Sequence, residues 1–230
     1  MKTVIFRADS SSVMGVGHLM RCLTLARMVH KAGAQCHFLC RDLPGNQSDL
    51  VLTHGFVRHM LHTDSPAEVR RLVAELGADW LVVDHYGLDA EWEHAACPSG
   101  SSVAVIDDLA DRAHDCALLL DQNLGVMPSA YSGLVPNTAR LLLGPHYALL
   151  RPDFEQARAT SLRRRAEAQG LDLFINFGGA DPCDATARVL DCLAGHRQLV
   201  DRLTVVLGGA IRDPAPLQAQ ATALGARVIT

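Results

Sequence analysis

What these 230 residues lack narrows the field first. No apolar stretch approaches the ~20 residues that a membrane span needs, and the opening Met1-Lys2-Thr3-Val4-Ile5-Phe6-Arg7 has no signal-peptide body. The reading is a cytoplasmic protein with no membrane partner. A basic excess is missing too: 21 Lys and Arg stand against 25 Asp and Glu, for a net charge of −4. A nucleic-acid binder normally shows a basic stripe that neutralises phosphates. The one dense basic run, Arg163-Arg164-Arg165, fits a solvated helix face equally well, so no nucleic-acid partner is expected. The seven cysteines are odd in number and contain no Cys-x-x-Cys pair. That sets aside a disulfide framework or a zinc ribbon and leaves reduced, mostly buried thiols. A Walker A loop is excluded because the only lysines are Lys2 and Lys31, neither in a Gly-Lys-Ser/Thr sequence.

Apolar side chains, by contrast, are abundant. Hydrophobic residues make up 49% and charged residues 20%, enough to bury a core and to argue against disorder. The length allows one large domain or two small ones. Thr3–Ala8 is β-prone and stops at Asp9-Ser10-Ser11-Ser12, followed by Gly15-Val16-Gly17. From His18, the residues Leu19, Cys22, Leu23, Ala26 and His30 recur at helical spacing until Gly33. Further strands are expected over Cys36–Arg41, Phe56–Leu61, Trp80–Asp84, Ser102–Ile106 and Cys116–Leu120, with helices over Ser48–Thr53 and Ala67–Leu76. Strands alternating with helices imply an α/β layer fold with a mainly parallel sheet. Ligands in such sheets sit beyond the carboxyl ends of the strands. Asp9, Asp84, Asp107 and Asp121 each follow an apolar strand, so they should collect along one rim.

The character shifts near residue 150. A charged helix over Phe154–Gln169 precedes a fresh strand, Leu171–Phe177, that ends in Gly178-Gly179-Ala180-Asp181. A helix (Ala185–Leu193), a strand (Leu203–Leu207), a helix (Pro216–Leu224) and a strand (Arg227–Ile229) complete the chain. This predicts a first α/β domain over 1–150 and a second over 151–230, the latter about half of a doubly wound unit and truncated at its C-terminus.

Several segments carry candidate chemistry. Glycines between a strand and a helix let the backbone approach a phosphate or sugar, and the helix N-terminus favours an anion there. In Gly15-Val16-Gly17-His18-Leu19-Met20 the third glycine of the dinucleotide fingerprint is replaced by methionine, which weighs against a nicotinamide or flavin cofactor. His18 falls in the first turn of the helix, where the dipole disfavours imidazolium and leaves a neutral ring able to accept a proton. A capping or structural role is the competing reading. Asp84-His85-Tyr86-Gly87 leaves its strand with three polar side chains in a row. Asp107-Asp108-Leu109-Ala110-Asp111-Arg112 with His114 and Asp115 is acidic enough for a metal but has no recognised ligand spacing, so no metal is expected.

Taken in order, these segments resemble one enzyme family. Arg7-Ala8-Asp9 through Leu23, Val83-Asp84-His85-Tyr86, Ile106 through Arg112, Leu120-Asp121-Gln122-Asn123, Leu143 through Pro152 and Asn176 through Pro182 are similar to the UDP-2,4-diacetamido-2,4,6-trideoxy-β-L-altropyranose hydrolases of pseudaminic acid biosynthesis, the PseG family. The resemblance implies two Rossmann-like domains of the glycosyltransferase-B (GT-B) type. It also implies a UDP-linked diacetamido-trideoxyhexose substrate and a cofactor-free, metal-independent, inverting attack of water at C1. By the same resemblance His18 deprotonates or orients the water and Tyr86 positions sugar or water. Arg7, Asp9, Gly15, Gly17, Asp84 and His85 line the substrate, and Gly178 and Gly179 approach the diphosphate from the second domain. The family's second domain continues into a glycine-rich Ser-Thr segment that holds the nucleotide, which this sequence does not reach; the expectation is weak UDP binding and slow or absent turnover. A GT-B glycosyltransferase and a non-catalytic sugar- or partner-binding module are the alternatives.

Overall fold

The structure is a computed structural model that describes residues 1–167 and 170–230. It divides into two compact units, Met1–Arg151 and Pro152–Thr230. In the first, strands and helices alternate as β1 (Thr3–Ala8), α1 (Gly17–Lys31), β2 (Gln35–Arg41), α2 (Asp49–Thr53), β3 (Val57–Leu61), α3 (Pro66–Glu75), β4 (Trp80–Asp84), α4 (Ala90–Ala96), β5 (Ser102–Ile106), β6 (Leu118–Asp121) and β7 (Arg140–Leu143). The seven strands form one sheet in the order β3-β2-β1-β4-β5-β6-β7, and every pairing is parallel.

The two faces of β1 explain why Val4, Ile5 and Phe6 follow one another without alternation, although the strand also carries Thr3 and the buried Arg7. Val4, Phe6 and Ala8 pack with Leu19, Leu23 and Ala26 of α1, while Ile5 faces Val69 and Val73 of α3 and Trp92 of α4. A strand covered on both faces has no solvent side to mark with polar residues. Helix α1 carries its buried positions, Leu19, Cys22, Leu23 and Ala26, on one stripe against the sheet. Fully burying each such leucine stabilises the fold by about 1.5–3 kcal/mol.

Because β1, β4, β5 and β6 are consecutive neighbours, Asp9, Asp84, Asp107 and Asp121 do line one rim, at the carboxyl ends of their strands. All four are buried. Two elements of this unit were not anticipated. Helix α4 is only seven residues long and is capped by Asp89, whose side chain accepts from the Trp92 N–H at 3.1 Å. Strand β7 extends the sheet by pairing with β6.

The second unit opens on α5 (Pro152–Glu167), in which no residue is buried. The expected end of this helix at Gln169 lies outside the described residues. Then come β8 (Asp172–Ile175), α6 (Ala185–Ala194), β9 (Arg202–Val206), α7 (Ala215–Ala223) and β10 (Arg227–Ile229), with the strands parallel in the order β10-β9-β8. Ile175, Leu190, Leu203 and Val205 form its core. Beyond β9, Gly208 lies so close to the Gly178-Gly179 turn that a Cβ there would sit 2.2 Å from the Gly179 carbonyl oxygen. Only glycine fits that approach.

The rim of the first unit depends on one buried hydroxyl. Tyr131 Oη lies 3.0 Å from Asp107 Oδ2 and 2.9 Å from Asp121 Oδ2. Tyr131→Phe keeps the ring and removes the hydroxyl's bonds with two buried carboxylates. We expect it to destabilise the protein by about 1–3 kcal/mol in urea unfolding; a change below about 0.5 kcal/mol would show that the bridge carries nothing.

Candidate active site

The chain leaves β1 through Asp9 and folds Ser11–Gly15 into a small closed loop, with the Ser11 and Gly15 N–H groups each bonded to the other's carbonyl at 3.2 and 2.8 Å. Gly15 closes it at φ 75°, a conformation that costs a side-chain-bearing residue energy. Gly17 then begins α1. Val16 provides no side-chain cap, and the first turn contains no acidic residue. The first N–H groups of α1 are therefore left to water or an anionic group.

His18 and Arg21 lie one turn apart on α1 and converge on Asp84 at the end of β4. His18 Nδ1 is 2.5 Å from Asp84 Oδ1. Arg21 donates to the same carboxylate from Nε at 2.5 Å and from Nη2 at 2.6 Å, and from Nη1 to Asp108 Oδ2 at 2.8 Å. The Cys22 thiol donates to Asp84 Oδ2 at 3.7 Å, and burial followed by the Asp84 charge pushes that thiol well above its ordinary value. A carboxylate at Nδ1 fixes that nitrogen as the donor. The Nε2 lone pair is then free, and among the described residues it has no hydrogen-bond partner. The rings of His18 and Tyr86 meet in a T-shaped contact at 4.5 Å between centroids and an interplanar angle of 81°. Tyr86, 43% exposed, donates its hydroxyl to Asp108 Oδ2 at 3.3 Å.

Beside this group, Arg7 and Asp9 form a wholly buried bidentate pair at 2.6 and 2.8 Å. Arg7 Nη2 also reaches Asp64 Oδ1 at 2.6 Å, and Arg41 completes the cluster through an ion pair with Asp64 and a backbone N–H to Asp9 Oδ1 at 2.8 Å. Burial alone would raise the Asp9 carboxyl; the Arg7 guanidinium and the Arg41 N–H outweigh it and hold the group below its ordinary value. His85 Nδ1 accepts from the Gly87 N–H at 2.9 Å while Nε2 faces Asp9 Oδ2 at 3.5 Å. Burial, followed by the Arg7 charge, pushes its pKa down. The ring is thus neutral, with the Nε2 proton turned toward Asp9.

The structure therefore brings Arg7, Asp9, His18, Asp84, His85 and Tyr86 together on one rim. Arg7 and Asp9 are wholly enclosed and bonded to each other, so what they present to a ligand is a held rim and not a free group. Gly178 and Gly179 belong to the second unit, at the end of β8. There Asn176 Oδ1 accepts the Gly178 N–H at 2.8 Å, and Asp181 caps α6 by accepting from Ala185 and Thr186, both at 2.9 Å. The sequence reading gives no role to Arg21 or Asp64, and Asp108 enters it only within the acidic segment weighed for a metal. Arg21 is legible after the fact, since residues three apart on a helix share a face with His18.

No family model matches the chain. Over 179 residues it is 32% identical to the UDP-2,4-diacetamido-2,4,6-trideoxy-beta-L-altropyranose hydrolase of Campylobacter jejuni, covering 77% of this chain and 61% of that protein. The chain is a relative of that hydrolase. An uncharacterised protein of Methanocaldococcus jannaschii is 21% identical over 210 residues, which is 90% of this chain and 43% of that one. The chain thus spans less than two thirds of the length of either relative. Among solved structures, Acinetobacter baumannii MurG aligns with 99% of this chain and 67% of its own at a TM-score of 0.60 and 13% identity. A Rickettsia africae glycosyltransferase aligns with 99% and 68% at a TM-score of 0.52 and 6% identity. At these identities the likeness establishes the fold alone, α/β of the GT-B type.

The sign of the rim's pH response follows from its carboxyls. Asp107, like Asp9, is held below its ordinary value: burial opposes ionisation, but the Ala110 N–H, Arg112 and Tyr131 outweigh it. A lowered folded-state pKa contributes stability that is present above the unfolded value, about 3.9, and is lost as pH falls through the folded value. Thermal scans from about pH 7 to about pH 3 should show Tm falling on the acid side. Arg7→Met strands the buried Asp9 charge and should cost about 3–5 kcal/mol in unfolding free energy. A flat acid profile, or a loss within about 1 kcal/mol, would contradict this account of the rim.

Proposed function

We propose that this chain is a nucleotide-sugar hydrolase that removes UDP from UDP-2,4-diacetamido-2,4,6-trideoxy-β-L-altropyranose in pseudaminic acid biosynthesis. The observation that carries the reading is the His18–Asp84 pair on the carboxyl rim, in a chain 32% identical to a hydrolase of that sugar nucleotide. Asp84 holds the Nδ1 proton, so Nε2 is the base. A water between Nε2 and the Tyr86 hydroxyl gives its proton to Nε2 while its oxygen forms a bond to C1. The bond from C1 to the phosphate oxygen breaks with its electron pair on UDP, and the attack from the opposite face inverts the anomeric centre. The Gly15–Gly17 loop offers backbone at close range, since a Cβ at either glycine would meet nothing within 4 Å.

The roles of the other residues follow from their bonds. Arg7, Asp9 and His85 shape the sugar side of the rim. The reaction needs no metal in this reading, because the base is a side chain and the leaving group is already a phosphate. The GT-B fold favours a second reading, transfer to a sugar acceptor, since fold alone does not choose between water and a hydroxyl.

An NMR time course with that UDP-sugar in EDTA and without any acceptor separates the two. We expect slow release of free UDP and the inverted α-anomer, and a further loss of rate of at least about 100-fold in His18→Ala. UDP release that requires a sugar acceptor would favour the transferase. An unchanged rate in His18→Ala would overturn the mechanism.

A further inference from the structure

Asp108 has no part in the scheme above, yet it closes a ring of contacts around the reacting groups. From His18 the ring runs through Asp84 to Arg21, from Arg21 Nη1 to Asp108 Oδ2 at 2.8 Å, from there to the Tyr86 hydroxyl at 3.3 Å, and back to His18 through the edge-on contact with Tyr86. Asp108 is anchored independently of this ring, because its backbone carbonyl accepts from Asn123 Nδ2 at 3.1 Å and Asn123 in turn donates its N–H to Asp121 at 2.9 Å. Its second oxygen, Oδ1, is buried and without a hydrogen-bond partner among the described residues.

A phenol has one proton and two acceptor sites. While the Tyr86 proton is committed to Asp108, its oxygen can only accept. A water lying between Tyr86 Oη and His18 Nε2 then donates one proton to each and must present its own lone pairs elsewhere, which is the orientation a nucleophile needs. If Tyr86 turned its proton toward the water instead, it would bind a lone pair of the attacking oxygen and oppose the attack.

We propose that Asp108, oriented by Arg21, is a positioning residue that holds the Tyr86 proton away from the reacting water and so keeps that water's lone pair available for attack. The proposal deepens the hydrolase reading and rests on it for its kinetic consequence, but the geometry it asserts is independent of turnover. In keeping with it, burial and the Asp108 hydrogen bond both push the Tyr86 phenol above its ordinary value of 10.0.

The test is a double-mutant cycle on the whole chain with Asp108→Asn, Tyr86→Phe and the pair. Asp108→Asn should lower kcat on the order of 10- to 100-fold with KM within about twofold, and the double variant should be no slower than Tyr86→Phe alone. Losses that multiply, or a rise in KM with kcat intact, would overturn the proposal. A second measurement does not depend on activity: tyrosine ring 13C NMR should show the Tyr86 phenol titrating lower in Asp108→Asn than in the parent. An unchanged titration would also overturn the proposal. If the parent releases no UDP, the hydrolase reading fails while the phenol titration still decides whether Asp108 holds the Tyr86 proton. Should Asp108→Asn fail to fold, Asp108→Ser carries the same expectations.

Discussion

The site turns on the Asp84 carboxylate. It stands at the end of β4, a central strand, and takes hydrogen bonds from three side chains of one helix, His18, Arg21 and Cys22. Both of its oxygens are engaged, so a buried charge that would otherwise be costly is fully bonded. The arrangement also docks the first turn of α1 against the sheet in a single orientation. That orientation sets which nitrogen of His18 bears the proton, and hence which one is left bare. The chemistry proposed for the chain is in this sense a consequence of where β1 ends, how tightly the Ser11–Gly15 loop reverses, and which face α1 presents.

The rim divides its aspartates between two tasks. Asp84 is bonded to the buried His18, and Asp108 to Tyr86, which is exposed. Asp9, Asp107 and Asp121 are bonded inward, to Arg7, Arg112 and Tyr131, and they hold the loops that leave the strands. A parallel sheet collects strand ends on one edge, and buried carboxylates there need partners of opposite charge or good donors. This chain supplies some from close by, as Arg7 does for Asp9 and Arg112 for Asp107, and others from far away in the sequence, as Arg21 does for Asp84 and Tyr131 for Asp107, which ties the loops to one another.

Local pattern made much of this legible. The apolar runs ending in aspartate placed the strands, the glycines before His18 placed the start of α1, and the four aspartates were expected on one rim, where they lie. The similarity to the hydrolase could be read from the order of these segments. The rest was hidden for physical reasons. Helix α4 is too short for periodicity to announce it, and only the Asp89 cap and Trp92 mark it. Strand β7 is a four-residue apolar run whose pairing with β6 no local feature encodes. Arg21, Asp64 and Asp108 acquire their roles through partners far away in the chain, such as Asp108 for Arg21 and Arg7 for Asp64. Arg7 reads as a cation available to a substrate, whereas the fold encloses it completely.

The central claim is that Asp84 fixes His18 with its proton on Nδ1 and a bare Nε2. Nitrogen-15 NMR of the His18 imidazole tests it directly. Wherever the ring is neutral, the account predicts the tautomer protonated at Nδ1 in the parent, and its loss in Asp84→Asn, where the side-chain amide can donate to Nδ1 instead. A parent ring protonated at Nε2, or a tautomer indifferent to Asp84, would contradict it.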